Sequence, residues 1–150
     1  MAQSLSHILL HLVFSTRHRA PLLDEDLLGP THSYLAGILR DLDCLPLRIG
    51  GVEDHVHLLF KMSRNHSVAD VVQTLKTGSS KWLKSQADHL HDFHWQSGYG
   101  VFSVSESQSS DVATYIGDQR RRHRKIEFQD ELRALLKRHG VDFDEKYVWD

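Results

Sequence analysis

The stretch Asp54–Phe60 constrains the fold of this chain most strongly, because two histidines alternate there with bulky apolar residues. Successive side chains of an extended strand point to opposite faces, so His55 and His57 share one face and the apolar residues share the other. The strand therefore needs an apolar layer on one side only. On the other side, the two imidazoles are either polar groups on a wet surface or two ligands of one metal ion.

Hydrophobic periodicity predicts the elements around this strand. Short apolar runs rich in branched residues predict strands over 7–14, 45–49, 52–62 and 101–105. Helical spacing of apolar residues predicts helices over about 24–42, bent or restarted near Gly29-Pro30, and over 67–84, begun by a Ser67–Asp70 capping box. Gly50-Gly51 is expected to be the tight turn of an antiparallel hairpin between the second and third strands.

Two more helical regions are predicted after the fourth strand, one over about 110–125 and one from Phe128 to Gly140. The order β-α-β-β-α-β predicts an α+β fold of the ferredoxin-like type, a four-stranded antiparallel sheet with two helices on one face. The histidine pair is then expected on the other, accessible face, where the C-terminal helices or a nucleic acid can lie. We expect residues 1–150 to form a single domain.

The composition narrows the class of protein. The chain is 40% hydrophobic and 25% charged, which is typical of a soluble globular protein. A single cysteine, Cys44, excludes an intramolecular disulfide and a four-cysteine zinc site. No signal sequence or membrane span is evident, so a cytoplasmic protein is expected. The net charge of −2 conceals a basic cluster at 120–125, which could bind nucleic acid.

A second candidate site lies in the predicted helix over 110–125. Tyr115 and Gln119 are four residues apart and share a helical face, which His123 continues one turn later. A tyrosine can act as a nucleophile, and an amide oxygen can bind a hard divalent ion. The same spacing also suits a packing tyrosine beside a polar neighbour, so it does not by itself establish a site.

Taken together, these motifs resemble the single-tyrosine HUH transposases of small bacterial insertion sequences, the IS200-like group. The resemblance covers nearly the whole chain, and it depends on the order and spacing of five short motifs. These motifs are Phe14–Arg19, His55–Leu59, Leu75-Lys76 with Ser79-Ser80, Trp95–Tyr99, and Tyr115-Ile116 with Gln119.

The resemblance implies a transposase that cleaves and rejoins single-stranded DNA at transposon ends. Tyr115 on the C-terminal helices would attack a DNA phosphate and form a 5′-phosphotyrosine intermediate. His55, His57 and Gln119 would hold one divalent ion, magnesium or manganese, which polarises the phosphate. The substrate would be an imperfect hairpin at each transposon end, and the protein would be a homodimer with shared active sites.

Basic side chains are the candidates for binding the DNA backbone, and Trp95 or Tyr99 for stacking on bases. The predicted DNA-binding residues are Lys76, Lys81, Arg120, Arg121, Arg122, Arg124 and Lys125. Charged residues on helices are also commonly just solvated, so each assignment has that alternative.

The chain departs from the family pattern at two positions. Asp118 stands where an asparagine is frequent, and Arg122 stands where the first of two histidines is frequent, whereas His123 keeps the second. Two other functions are compatible with the same fold. A related replication or transfer nickase is disfavoured, because the chain has no helicase domain and no second tyrosine beside Tyr115. The other is a domesticated, non-catalytic protein that only binds DNA hairpins.

Overall fold

Four strands with alternating apolar residues form one antiparallel sheet in the computed structural model, which describes residues 2–150. The strands are Leu9–Ser15 (β1), Leu45–Val52 (β2), His55–Lys61 (β3) and Gly100–Val104 (β4), in the spatial order β2-β3-β1-β4. The helices are Glu25–Asp41 (α1), Val68–Lys84 (α2), Ser109–Gly117 (α3), Gln119–Arg122 (α4) and Phe128–Arg138 (α5). This order confirms the predicted ferredoxin-like fold with added C-terminal helices.

One face of the sheet carries the main apolar core. Leu12 and Phe14 of β1 and Val56 and Leu58 of β3 are fully buried there against α1 and α2. The Ser67 hydroxyl caps α2 by accepting a hydrogen bond from the backbone N–H of Asp70, at 3.1 Å, as the capping pattern predicts. Helix α1 is continuous through Pro30 and does not restart there.

The opposite face is covered by the C-terminal helices. Val13 and Phe102 of the sheet pack against Phe128 and Leu132 of α5 in a second apolar cluster. His55 and His57 lie on this face, as the alternation predicts, but neither has any exposed surface. The expectation of an accessible histidine pair is therefore wrong for the chain by itself, because α3 and α5 enclose both imidazoles.

The two adjacent glycines do not form the hairpin turn. Gly50 and Gly51 belong to β2, and the turn is formed by Glu53 and Asp54. A side chain at Gly50 would collide with the backbone carbonyl of Ile116 in α3. The strand thus needs a glycine where the helix comes closest to it, and this packing outweighs the turn preference of the Gly-Gly pair.

The predicted helix over 110–125 is interrupted at Asp118, which separates α3 from the single turn of α4. Gly117 precedes this break, and a Cβ atom there would collide with the guanidinium group of Arg48 on β2. The end of α3 therefore packs closely against β2 at the point where the helix breaks. No helix described between residues 2 and 150 combines the length and apolarity needed to cross a bilayer.

Replacing Gly50 with alanine should destabilise the protein by about 1–3 kcal/mol, because the added methyl group pushes α3 away from β2. Gly37→Ala in α1 is the matched control, since nothing lies within 4 Å of a Cβ atom there. That change should stabilise the helix by about 0.5–1 kcal/mol. Chemical denaturation measures both free energies of unfolding. Equal effects of the two substitutions would contradict the close packing at Gly50.

Candidate active site

Four buried groups converge between the sheet and the C-terminal helices. His55 and His57 lie on β3, His123 directly follows α4, and Glu131 lies on α5. One side-chain donor atom of each lies within 4.8 Å of the others. The alternation of the strand aims both imidazoles at the helices, and Glu131 lies on the face of α5 that packs on the sheet.

The carboxylate of Glu131 is the centre of this cluster. Its Oε1 atom lies 2.9 Å from Nε2 of His57, 3.1 Å from Nε2 of His123 and 3.4 Å from Nε2 of His55. The Glu131 side chain is only 3% exposed. A carboxylate removed from water to this extent needs positive or hydrogen-bonding partners, and the three imidazoles supply them.

The outer nitrogens of the strand histidines are held by hydrogen bonds. Nδ1 of His55 lies 2.7 Å from a carboxylate oxygen of Asp54, and Nδ1 of His57 lies 2.8 Å from Nε2 of His11. His11 is on β1, beside β3, and is buried as well. When both rings are neutral and donate from Nδ1 to these partners, their Nε2 lone pairs are directed at the centre of the cluster.

Tyr115 and Gln119 complete the site. The Tyr115 hydroxyl donates to Oε2 of Glu131, and the Gln119 amide nitrogen donates to the same atom at 3.1 Å. The Gln119 carbonyl oxygen lies 3.1 Å from Nε2 of His55 and 2.9 Å from Nε2 of His123. The structure therefore brings together all four residues predicted as metal ligands and nucleophile, namely His55, His57, Tyr115 and Gln119.

Burial and the hydrogen bonds within the cluster shift the pKa values of its histidines and of Glu131. Burial opposes a charged His55, but hydrogen bonds to Asp54 and Glu131 outweigh it and raise the pKa of His55 to about 9. Burial lowers the pKa of His57. Burial, and to a smaller extent the nearby His57, lower the pKa of His11 to about 3. Burial would also raise the pKa of Glu131, yet hydrogen bonds from the histidines hold it well below the usual range.

The nucleophile candidate is held in its protonated form. Burial and the adjacent Glu131 carboxylate both raise the pKa of the Tyr115 hydroxyl above its ordinary value. The guanidinium of Arg122 lies 4.2 Å from the centre of the tyrosine ring and favours the phenolate, but to a smaller extent. A further positive charge near Glu131 would be needed to lower the pKa of the Tyr115 hydroxyl and favour the phenolate.

The donor set fits a divalent metal ion. Imidazole nitrogens suit transition metals, whereas a carboxylate and an amide oxygen also suit harder ions such as manganese and magnesium. Three imidazoles in one cluster favour manganese over magnesium, because magnesium strongly prefers oxygen ligands. The cluster is thus consistent with a divalent ion, and the choice between magnesium and manganese stays a prediction.

A cavity of about 550 Å³ reaches the site from the surface beside Tyr115. Its walls come from β4 and from helices α3 and α5, and they include His11, Phe102, Arg138 and His139. The rings of Phe102 and His139 are stacked with their centres 4.6 Å apart. Tyr115 therefore borders this cavity, whereas His55 and His57 do not line it.

The predicted DNA-binding residues occupy different environments. Arg120 pairs with Glu25, Arg121 pairs with Asp118 at 2.8 Å, and Arg122 covers Tyr115. Among the described residues, Arg124 and Lys125 form no ion pair, and both are exposed, as is Lys81. Arg124 and Lys125 can therefore bind a ligand without first breaking an ion pair.

Two of the predicted contacts to DNA are used inside the protein. The ammonium group of Lys76 donates to the backbone carbonyls of Gln96 and Gly98, at 2.7 and 2.6 Å. The indole of Trp95 is 7% exposed and donates to the Ser79 hydroxyl at 2.9 Å, so it is not available to stack on bases. Tyr99 remains exposed.

Sequence reasoning missed Glu131 and His11. Glu131 follows Phe128 and precedes Leu132 in an amphipathic helix, so its position on the buried stripe is the one available signal. His11 stands in a strand whose predicted neighbour carries the histidine pair, and its parity with Val13 places it on the same face. His123 was recognised as continuing the Tyr115–Gln119 line, but not as a ligand candidate.

Comparison with known proteins supports the architecture. A model of the family described as IS200-like transposases matches residues 4–119. The crystal structure of a candidate transposase from Deinococcus radiodurans R1 superposes with a TM-score of 0.62 at 23% identity, covering 77% of this chain and 95% of the other.

A second solved structure is a REP-associated tyrosine transposase bound to a REP hairpin. It superposes with a TM-score of 0.55 at 11% identity, covering 77% of this chain and 70% of the other. At these identities the two structures establish a shared fold. No curated protein matches the chain significantly.

Asp54→Asn should destabilise the metal-free protein most at low pH. The substitution keeps a hydrogen-bond acceptor for Nδ1 of His55 but removes the charge that helps to raise the pKa of His55 from 6.5 to about 9. A raised pKa adds stability that is complete below about pH 6.5 and is lost as the pH rises through about 9.

The free energies of unfolding of wild type and Asp54→Asn should therefore differ by about 1 kcal/mol at pH 6 and converge above pH 9. Chemical denaturation across this range, with a chelator present, makes the measurement. Asp88→Asn, at an exposed position, is the control and should give no such trend. A difference that grows with pH would contradict the assignment of a charged His55.

Proposed function

Because the chain belongs to the family of IS200-like transposases, we propose that it cleaves and rejoins single-stranded DNA through a 5′-phosphotyrosine intermediate on Tyr115. The observation that carries this proposal is the contact between the Tyr115 hydroxyl and the carboxylate at the centre of the histidine cluster. A tyrosine that served only for packing would not need its hydroxyl directed into a group of candidate metal ligands.

His55, His57 and Gln119 are the proposed metal ligands, as the family resemblance implies. A divalent ion bound there, manganese or magnesium, would act as a Lewis acid toward the phosphate that is cleaved. Asp54 and His11 orient the two strand imidazoles through their Nδ1 atoms. The amide of Gln119 spans the site, since its oxygen faces two imidazoles and its nitrogen faces Glu131.

The proposed reaction conserves the energy of the DNA backbone. The Tyr115 hydroxyl loses its proton as its oxygen bonds to phosphorus, and the bond between phosphorus and the 3′ oxygen breaks. The departing 3′ oxygen gains a proton and becomes a free hydroxyl, while the 5′ phosphate stays on Tyr115. Attack by a 3′ hydroxyl on this link reverses the step and rejoins DNA without ATP. The Arg122 guanidinium, close to the tyrosine ring, stabilises negative charge in both directions.

The proposed substrate is a single strand that flanks an imperfect hairpin at a transposon end. The cavity beside Tyr115 is the proposed path of this strand, and exposed cations at Lys81, Arg124 and Lys125 are proposed to contact the DNA backbone. A hairpin is the ligand of the structurally similar REP-associated transposase, which supports this class of substrate. The homodimer with shared sites stays a prediction, and Tyr115 already lies beside the histidines of its own chain.

Tyr115→Phe should abolish a covalent protein–DNA product, because the nucleophilic oxygen is removed while the ring is kept. The wild-type protein, incubated with a labelled transposon-end strand and manganese or magnesium, should give a band of reduced mobility on a denaturing gel. Tyr34→Phe is the matched control, since Tyr34 is a partly exposed residue of α1, on the opposite side of the sheet from the site, and its product should equal that of wild type.

The outcomes of this experiment separate the candidate functions. A product that persists in Tyr115→Phe would place the nucleophile elsewhere. Tight hairpin binding without a covalent product under either ion would favour the non-catalytic hairpin-binding alternative. The clustering of His55, His57, Tyr115 and Gln119 argues against that alternative, because hairpin binding alone does not require it.

Hairpin binding should weaken steeply with salt, because phosphate contacts release counterions. Neutralising Arg124 and Lys125 together with glutamine should reduce the slope of log affinity against log salt concentration by about 1.5–2. Fluorescence anisotropy of a labelled stem-loop gives these slopes. Arg40→Gln with Arg64→Gln is the control and should leave the slope unchanged, since these exposed arginines lie at or just after the far ends of α1 and β3, whereas the site lies where those elements begin. An unaltered slope in the first variant would exclude its two residues from the interface.

A further inference from the structure

Glu131 has contacts that the family match does not explain, since that match ends at Gln119. The two oxygens of its carboxylate face different partners. Oε1 faces the imidazoles of His57 and His123 at 2.9 and 3.1 Å, whereas Oε2 accepts hydrogen bonds from the Tyr115 hydroxyl and the Gln119 amide. One side chain thus contacts both the candidate metal ligands and the candidate nucleophile.

The burial of Glu131 is unfavourable for an acidic residue. The other buried residues of α5 are all apolar, namely Phe128, Leu132, Leu135 and Leu136. Glu131 is 4% exposed among them, so an apolar side chain of similar volume would avoid the cost of desolvating a charge. A buried carboxylate beside three imidazole nitrogens instead has the chemistry of a metal ligand.

We propose that Glu131 is a further ligand of the divalent ion, added to His55, His57 and Gln119 and accompanied by His123, and that its second oxygen positions the Tyr115 hydroxyl. This inference rests on the proposed function and extends it to a residue beyond the family match. It makes the carboxylate a physical link between ion binding and the nucleophile. It also makes α5 part of the metal centre, since Glu131 is the ligand that this helix contributes.

Direct metal binding tests the ligand role. Calorimetric titration of the metal-free protein with Mn²⁺ should show that Glu131→Gln binds the ion at least about tenfold more weakly than wild type. Glu127→Gln is the matched control, because Glu127 is exposed just before the same helix and should leave the affinity unchanged. Wild-type affinity in Glu131→Gln would overturn the proposal.

Hydrogen exchange on the wild-type protein provides a test that does not require a variant to fold. If Glu131 binds the ion, Mn²⁺ should slow amide exchange in peptides from Phe128–Arg138 as well as in those from His55–Lys61. Slowed exchange confined to the sheet would overturn the ligand role of α5. Where Glu131→Gln folds, as judged by circular dichroism, the added protection of α5 should be absent from it.

The positioning role has its own readout. With Mn²⁺ at concentrations that saturate each variant, Glu131→Gln should form the covalent DNA product more slowly than Glu127→Gln. Equal rates under saturation would overturn the positioning role. Failure of the proposed function would look different. The wild-type protein would then give no covalent product, or Tyr115→Phe would still give one, while Glu131→Gln would still weaken Mn²⁺ binding.

Discussion

The burial of one carboxylate among three imidazoles is the interaction on which the rest of this structure depends. Glu131 can lie inside the protein because His55, His57 and His123 face it. The two strand histidines can lie inside because His11 of β1 and Asp54 of the turn before β3 are partners for their outer nitrogens. Removing one member would leave others buried without partners. The last helix is therefore joined to the sheet by polar contacts as well as by apolar packing.

Two glycines allow α3 to pack closely on the sheet beside this cluster. Gly50 lets the backbone of α3 approach β2, and Gly117 leaves room for Arg48 at the end of the same helix. This close approach lets the Tyr115 side chain reach the cluster, while its ring stays accessible from the cavity lined by α3, α5 and β4. Tyr115 thus lies between the buried polar cluster and a cavity that opens to the surface.

The fold could be predicted from the sequence because its signals are local. Period-2 alternation around His55 and helical spacing around Val71 and Leu75 give the element order, which the structure confirms. The misplaced turn at Gly50-Gly51 has its cause in the close approach of α3 to β2, and the break at Asp118 lies beside the same contact; local periodicity contains neither. Tertiary packing outweighed local preference at both positions.

The candidate site was predictable only in part, for the same reason. His55, His57, Tyr115 and Gln119 carry recognisable spacing, whereas Glu131 is a single acidic residue in an amphipathic helix. Its importance comes from the partners it meets across the fold. His11 is similar, since its contact with His57 depends on the pairing of β1 with β3.

The location of His123 and Glu131 beyond the family match affects how such proteins should be truncated. A shortened protein ending at Gln119 would keep every residue of the match, yet it would lose two of the four clustered donors and the apolar cover of Val13 and Phe102. We expect it to expose an apolar sheet face and to aggregate. Expression boundaries for this protein are therefore better drawn after α5 than at Gln119.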